Sequence, residues 1–149
     1  MTKIADALSN VTRLALDTVA LIYFVEEHPD YIARVDQVFH RIDQGEMEAV
    51  TSILTLTEVL VQPIRKGDAS LRERYRTLLL HSRHFRTLPI ESAIAVRAAD
   101  IRARYGLRTP DALQIATALE SGCDAFLTND LRLRRIVEIP VLLLDDLEA

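Results

Sequence analysis

The chain has 149 residues, 49% apolar and 27% charged, with a formal net charge of −4. That composition suits a single globular domain over residues 1–149 and excludes a disordered chain; the charge is unusual for a protein that grips nucleic acid through a broad basic face but does not exclude a nuclease. The lone Cys123 excludes an internal disulfide, and no apolar stretch is long enough to cross a bilayer, so a cytoplasmic location with no membrane partner is expected.

Residues 1–12 are mixed in polarity and read as a short helix or an N-terminal arm. Residues 13–17 (RLALD) form a buried strand, followed by a helix through Ala20–Glu26. Pro29 and Asp30 open a second helix, whose Ile32, Val35, Val38, Phe39 and Ile42 share one face and which Gly45 ends. Residues 48–51 form a strand. Ser52 caps a helix carrying Ile53, Leu56, Val59 and Leu60, with Pro63 expected to stop it. A helix from Asp68 or Ser70 to about His84 precedes a third strand at Thr87–Ile90. Glu91–Tyr105 is helical with Gly106 as its C-cap. Thr109-Pro110-Asp111 opens another helix, with Thr109 as N-cap. Asp124–Leu127 is a strand, Leu131–Ile136 a short helix and Val141–Leu144 a last strand. Strands that alternate with helices predict an α/β fold, a three-layer α/β/α sandwich on a parallel sheet of about five strands. Sites in such sheets lie beyond the strands' C-terminal ends.

Four acids stand out: Asp17, Glu58, Asp111 and Asp130. Asp17 and Asp130 close the apolar runs LALD and AFLTND, while Glu58 and Asp111 lie in SILTLTEVL and TPDALQIATAL. Taken singly, Asp111 reads as an acid favourably placed at a helix N-terminus, Asp130 as a cap and Glu58 as a solvated helix residue. Asp17 has no such simple account, because it ends a strongly apolar strand. Gathered in one pocket, four carboxylates repel one another and call for a cation with oxygen ligands. His81 and His84 lack a third ligand, and Cys123 reads as a small core residue. Arg72, Arg76, Arg83 and Arg86 read as a solvated basic face, and Arg108, beside Asp111, as a candidate phosphate contact.

LALDTVALI, SILTLTEVL, TPDALQIATAL and CDAFLTNDLRL, in this order, resemble PIN-domain ribonucleases, and among them the VapC-type toxins of toxin–antitoxin pairs. The resemblance runs from about Leu14 to Leu144. It implies an endoribonuclease that uses Mg²⁺ or Mn²⁺, with Asp17, Asp111 and Asp130 toward the metal and Glu58 orienting water or a second ion. It also implies supporting roles for Thr18, Thr128 and Asn129, an RNA substrate, a cognate antitoxin and a homodimer. A housekeeping RNA-processing nuclease and a non-catalytic protein-binding module remain open alternatives. A phosphoacceptor domain is disfavoured, since the last lysine is Lys66 and none follows the penultimate strand.

Overall fold

A computed structural model describes residues 1–149. Its elements run β1 (Thr2–Lys3), α1 (Ile4–Ala7), β2 (Arg13–Leu16), α2 (Thr18–Val25), α3 (Ile32–Asp43), β3 (Glu48–Ser52), α4 (Ile53–Lys66), α5 (Ala69–His81) and β4 (Phe85–Leu88). There follow α6 (Ser92–Tyr105), α7 (Thr109–Glu120), β5 (Ala125–Thr128), a 3₁₀ turn (Leu131–Arg135), β6 (Val141–Leu143), a second 3₁₀ turn (Leu144–Asp146) and β7 (Leu147–Glu148). Five strands form a fully parallel sheet in the order β4-β3-β2-β5-β6.

The pleat divides the apolar residues between two cores. Leu14 and Leu16 of β2, with Ala125 and Leu127 of β5, face a core built with α1 to α5. Ala15 and Phe126, at the intervening positions, face a second core built with α6 and α7. The sheet is thus the middle layer of an α/β/α sandwich, as expected. The chain leaves β2 for β3 on one side and returns to β5 on the other, so the topological switch point lies at the C-terminal end of β2. Asp17 is the next residue.

Residues 1–12 are not a free arm. Ile4 and Leu8 are buried in the first core, and β1 pairs with β7 in a separate two-stranded sheet. Pro63 does not stop α4. It lies inside the helix, buried, and α4 runs three residues further to the left-handed Gly67 cap. Burial of the ring and closure of the cap outweigh the one helical hydrogen bond that proline forgoes. The strand expected at Thr87–Ile90 runs instead from Phe85 to Leu88. Pro89 has no N–H for the ladder, whereas Phe85 is buried in the core. The preceding helix ends at His81, ahead of a turn in which His84 takes φ 60°. Arg86 therefore stands on β4 beside Glu48, not on a helical face. At α7 the N-cap position belongs to Arg108, and Thr109 and Pro110 are already helical.

Candidate active site

Asp17 follows β2 and caps α2: one carboxyl oxygen accepts from the Thr18 amide at 2.8 Å. The other accepts from the Thr128 hydroxyl at 2.6 Å, across from the end of β5. The Asp17 backbone N–H donates to the Leu127 carbonyl, which ties the two strand ends together. Burial pushes the Asp17 carboxyl above the usual aspartate range. Hydrogen bonds from Thr128 and Thr18 oppose the shift, and the charges of Asp111 and Glu58 add to it. Acids from three helices are therefore close enough to repel one another at the switch point.

Glu58 is exposed on α4, contrary to its apolar sequence neighbours, and accepts from the Thr18 hydroxyl at 2.9 Å. Asp111 sits in the first turn of α7, with its side chain 19% exposed. Arg108 approaches it to 3.5 Å, so that arginine partly neutralises the pocket. Asp130 is turned onto a neighbour that sequence reasoning missed. Arg132 donates to both of its oxygens, at 2.6 Å from Nη2 and 3.0 Å from Nε, and reaches to 3.9 Å from Asp111. That pairing holds the Asp130 carboxyl below its usual range. Thr128 is fully buried and accepts from the Asp130 amide, so one hydroxyl links Asp17 to Asp130. Asn129 faces elsewhere, accepting from the Asp145 amide at 3.0 Å and anchoring the segment after β6.

A buried polar cluster lies beneath the acids. Thr51, Thr55 and Gln114 are at most 4% exposed. Gln114 donates to Thr55 at 2.7 Å, and Thr55 meets Thr51 at 2.8 Å. The sequence carried a signal for it: Gln114 is the one amide in the apolar run of α7, three residues after Asp111. Thr55 likewise stands three residues before Glu58. Both spacings put the pair on one helical face.

Other candidates separate from the site. Asp124 accepts from the amides of Thr12 and Arg13, pinning the start of β2. Cys123 is half-buried and burial pushes its thiol up, away from reactivity. His81 and His84 are exposed with no ligand cluster around them. A groove of about 860 Å³ lies between α3 and α5 and is lined by Phe24, Phe39, Leu78 and Phe85, with none of the four acids.

The donor set at the switch point is all oxygen, which matches a hard divalent cation. No three acidic, histidine or cysteine side chains converge at the spacing of direct ligands. The residues fit a cation that keeps much of its water, held by one or two carboxylates.

Fold and site together define a class: a doubly wound α/β/α protein with an acidic pocket at the switch point of its sheet. Within that class the chain belongs to the PIN domain family, whose model matches residues 14–139. No curated protein matches it significantly. Solved structures of similar fold include a toxin–antitoxin complex from Klebsiella pneumoniae, with 23% identity and a TM-score of 0.68 over 88% of this chain and 97% of that one. VapBC2 from Rickettsia felis, bound to a DNA fragment from its promoter, has 13% identity and a TM-score of 0.70 over 87% and 97%. FitAcB from Neisseria gonorrhoeae has 19% identity and a TM-score of 0.65 over 88% and 97%. At such identities the likeness is one of fold.

Proposed function

We propose that this protein is a Mg²⁺- or Mn²⁺-dependent endoribonuclease and the toxin of a type II toxin–antitoxin pair. One observation carries the nuclease reading: Asp17, half-buried at the switch point and held by Thr18 and Thr128, is pushed up in the company of Asp111 and Glu58. A fold does not need that arrangement, which costs stability as the acids ionise. The toxin reading draws support from the PIN family and from neighbours described as toxin–antitoxin complexes.

In this reading Asp17 and Asp111 hold the cation, and Asp130 joins them through water. A cation bound there lowers the pKa of its water and stabilises charge on the scissile phosphate. Glu58, steadied by Thr18, orients the attacking water. Thr128 fixes the Asp17 carboxylate and places Asp130. Arg132 must leave Asp130 for that acid to serve, and Arg108 and Arg132 are then free to meet the RNA backbone. The antitoxin and a second copy are the protein partners. Val61 and Ile64, exposed on α4, are candidate contacts for one of them.

Sequencing the 5′ ends of RNA fragments after controlled expression tests the activity. New ends are expected with the wild-type chain and none with Asp111→Asn. Identical ends from both would sink the ribonuclease reading. Separately, Mg²⁺ binding that survives Asp17→Asn unchanged would remove Asp17 from the metal site.

A further inference from the structure

Asp17, Glu58 and Asp111 sit on three different elements, and their spacing depends on how α2, α4 and α7 are held together. The buried polar cluster is what joins them. Thr18 opens α2 beside Asp17. Thr55 lies one turn before Glu58 on α4, and Gln114 one turn after Asp111 on α7. Gln114 Nε2 lies 2.7 Å from the Thr55 hydroxyl and 3.5 Å from that of Thr18.

Counting protons fixes the direction of every bond. A threonine hydroxyl has one proton to give. Thr51 gives its proton to the Leu16 carbonyl at 2.9 Å. In the Thr51–Thr55 contact Thr55 is therefore the donor. Thr18 gives its proton to Glu58 at 2.9 Å. Thr18 and Thr55 also stand 3.2 Å apart, but neither has a proton left for the other. Both hydroxyls then need a donor from outside, and the Gln114 amide, with two protons on one nitrogen, faces both. A residue without an N–H₂ group at position 114 would leave two close hydroxyl oxygens facing each other with no proton between them.

We propose that Gln114 is a positioning residue of the metal site: its amide feeds protons to Thr55 and Thr18, commits Thr18 to Glu58, and ties α7 to α2 and α4. This rests on the metal-dependent reading of the acids given above. Gln114 touches neither metal nor RNA and acts through the spacing of Asp17, Glu58 and Asp111. Polar partners behind metal-binding side chains typically govern metal affinity by about 10- to 100-fold.

The test is Mn²⁺ titration by calorimetry on the full chain, without RNA, alongside urea unfolding. Gln114→Met keeps the length of the side chain and cannot donate. It should weaken Mn²⁺ binding by about tenfold. Thr51→Val is the matched control. It also removes buried hydrogen bonds, but leaves Gln114, Thr55, Thr18 and Glu58 connected. It should lower the unfolding midpoint with Mn²⁺ affinity unchanged. If Gln114→Met does not fold, Thr18→Val probes the other end of the donor chain, and the same tenfold weakening is expected. Wild-type affinity in the Gln114 or Thr18 variant, or an equal loss in Thr51→Val, would overturn the positioning role and leave the metal reading standing. A wild-type chain that binds no Mn²⁺ would overturn both.

Discussion

Thr128→Val isolates the contact that links the strand ends to the acids. Thr128 is fully buried, so valine fits the space while removing the hydroxyl. Two bonds go: the donor to Asp17 at 2.6 Å and the acceptor for the Asp130 amide at 3.1 Å. A bond to a charged group contributes about 1.5–3 kcal/mol and a neutral one about 1 kcal/mol. With Asp17 ionised, on the alkaline side of its folded pKa, the variant should lose roughly 3 kcal/mol; with Asp17 protonated, on the acid side, roughly 2 kcal/mol. The sign follows from the carboxyl. Asp17 titrates above its unfolded value, so its contribution to stability is full at acid pH and is lost as pH rises through the folded pKa. The Thr128 bond opposes that shift, and without it the loss on the alkaline side grows. Urea unfolding on both sides of that pKa, without metal, reads this out from midpoints at constant slope. Thr128→Ser, which keeps the hydroxyl, should stay nearer wild type and show no such pH dependence. A Thr128→Val deficit equal on both sides, or larger in acid, would refute the reasoning.

Three further outcomes follow from the same electrostatics. Arg132→Gln should bind Mn²⁺ more tightly than wild type at low ionic strength, because the cation no longer competes with a guanidinium on Asp130. Calorimetry should show that advantage shrinking as salt is added. Asp17→Asn should abolish RNA cleavage yet raise the melting temperature of metal-free protein at neutral pH. That gain should fade in acid, where the wild-type carboxyl is itself uncharged. Asp124→Ala should behave in the opposite sense. Asp124 accepts three bonds from Thr12 and Arg13, which hold its carboxyl below the usual range. Its stabilisation is present above the unfolded pKa and lost as pH falls through the folded one. The exposed position keeps the neutral-pH cost to about 1 kcal/mol, measured by urea unfolding.

The layers of the fold were legible because the central strands β2 and β5 are buried on both faces and a helix such as α3 on one. RLAL and AFLT read as strands whatever lies around them, and the alternation with helices leaves few topologies open. Element ends were less legible, since each is settled by a contact distant in sequence. Pro63 looks like a stop until its ring is known to be buried. Thr87–Ile90 looks like a strand until β3 is known to pair with Phe85–Leu88, leaving Pro89 just beyond the ladder. Thr109 has the chemistry of an N-cap, but the chain turns one residue earlier.

The acids divide in the same way. Sequence marks Asp17 through the apolar strand it ends, and the structure adds why that position is costly: three acidic elements meet there. Asp130 carries the same sequence mark but not the same cost, because Arg132, two residues on, neutralises it. Close in sequence, that pair could be read either as a solvated ion pair or as a guarded ligand, and only the reach of Arg132 toward Asp111 favours the second. Glu58, which taken singly reads as a solvated helix residue, is exposed, and it joins the site through the Thr18 hydroxyl and through its charge near Asp17. The weakest-looking residues therefore govern the strongest-looking ones. A threonine that follows one acid, and a glutamine one turn beyond another, decide where the exposed Glu58 points.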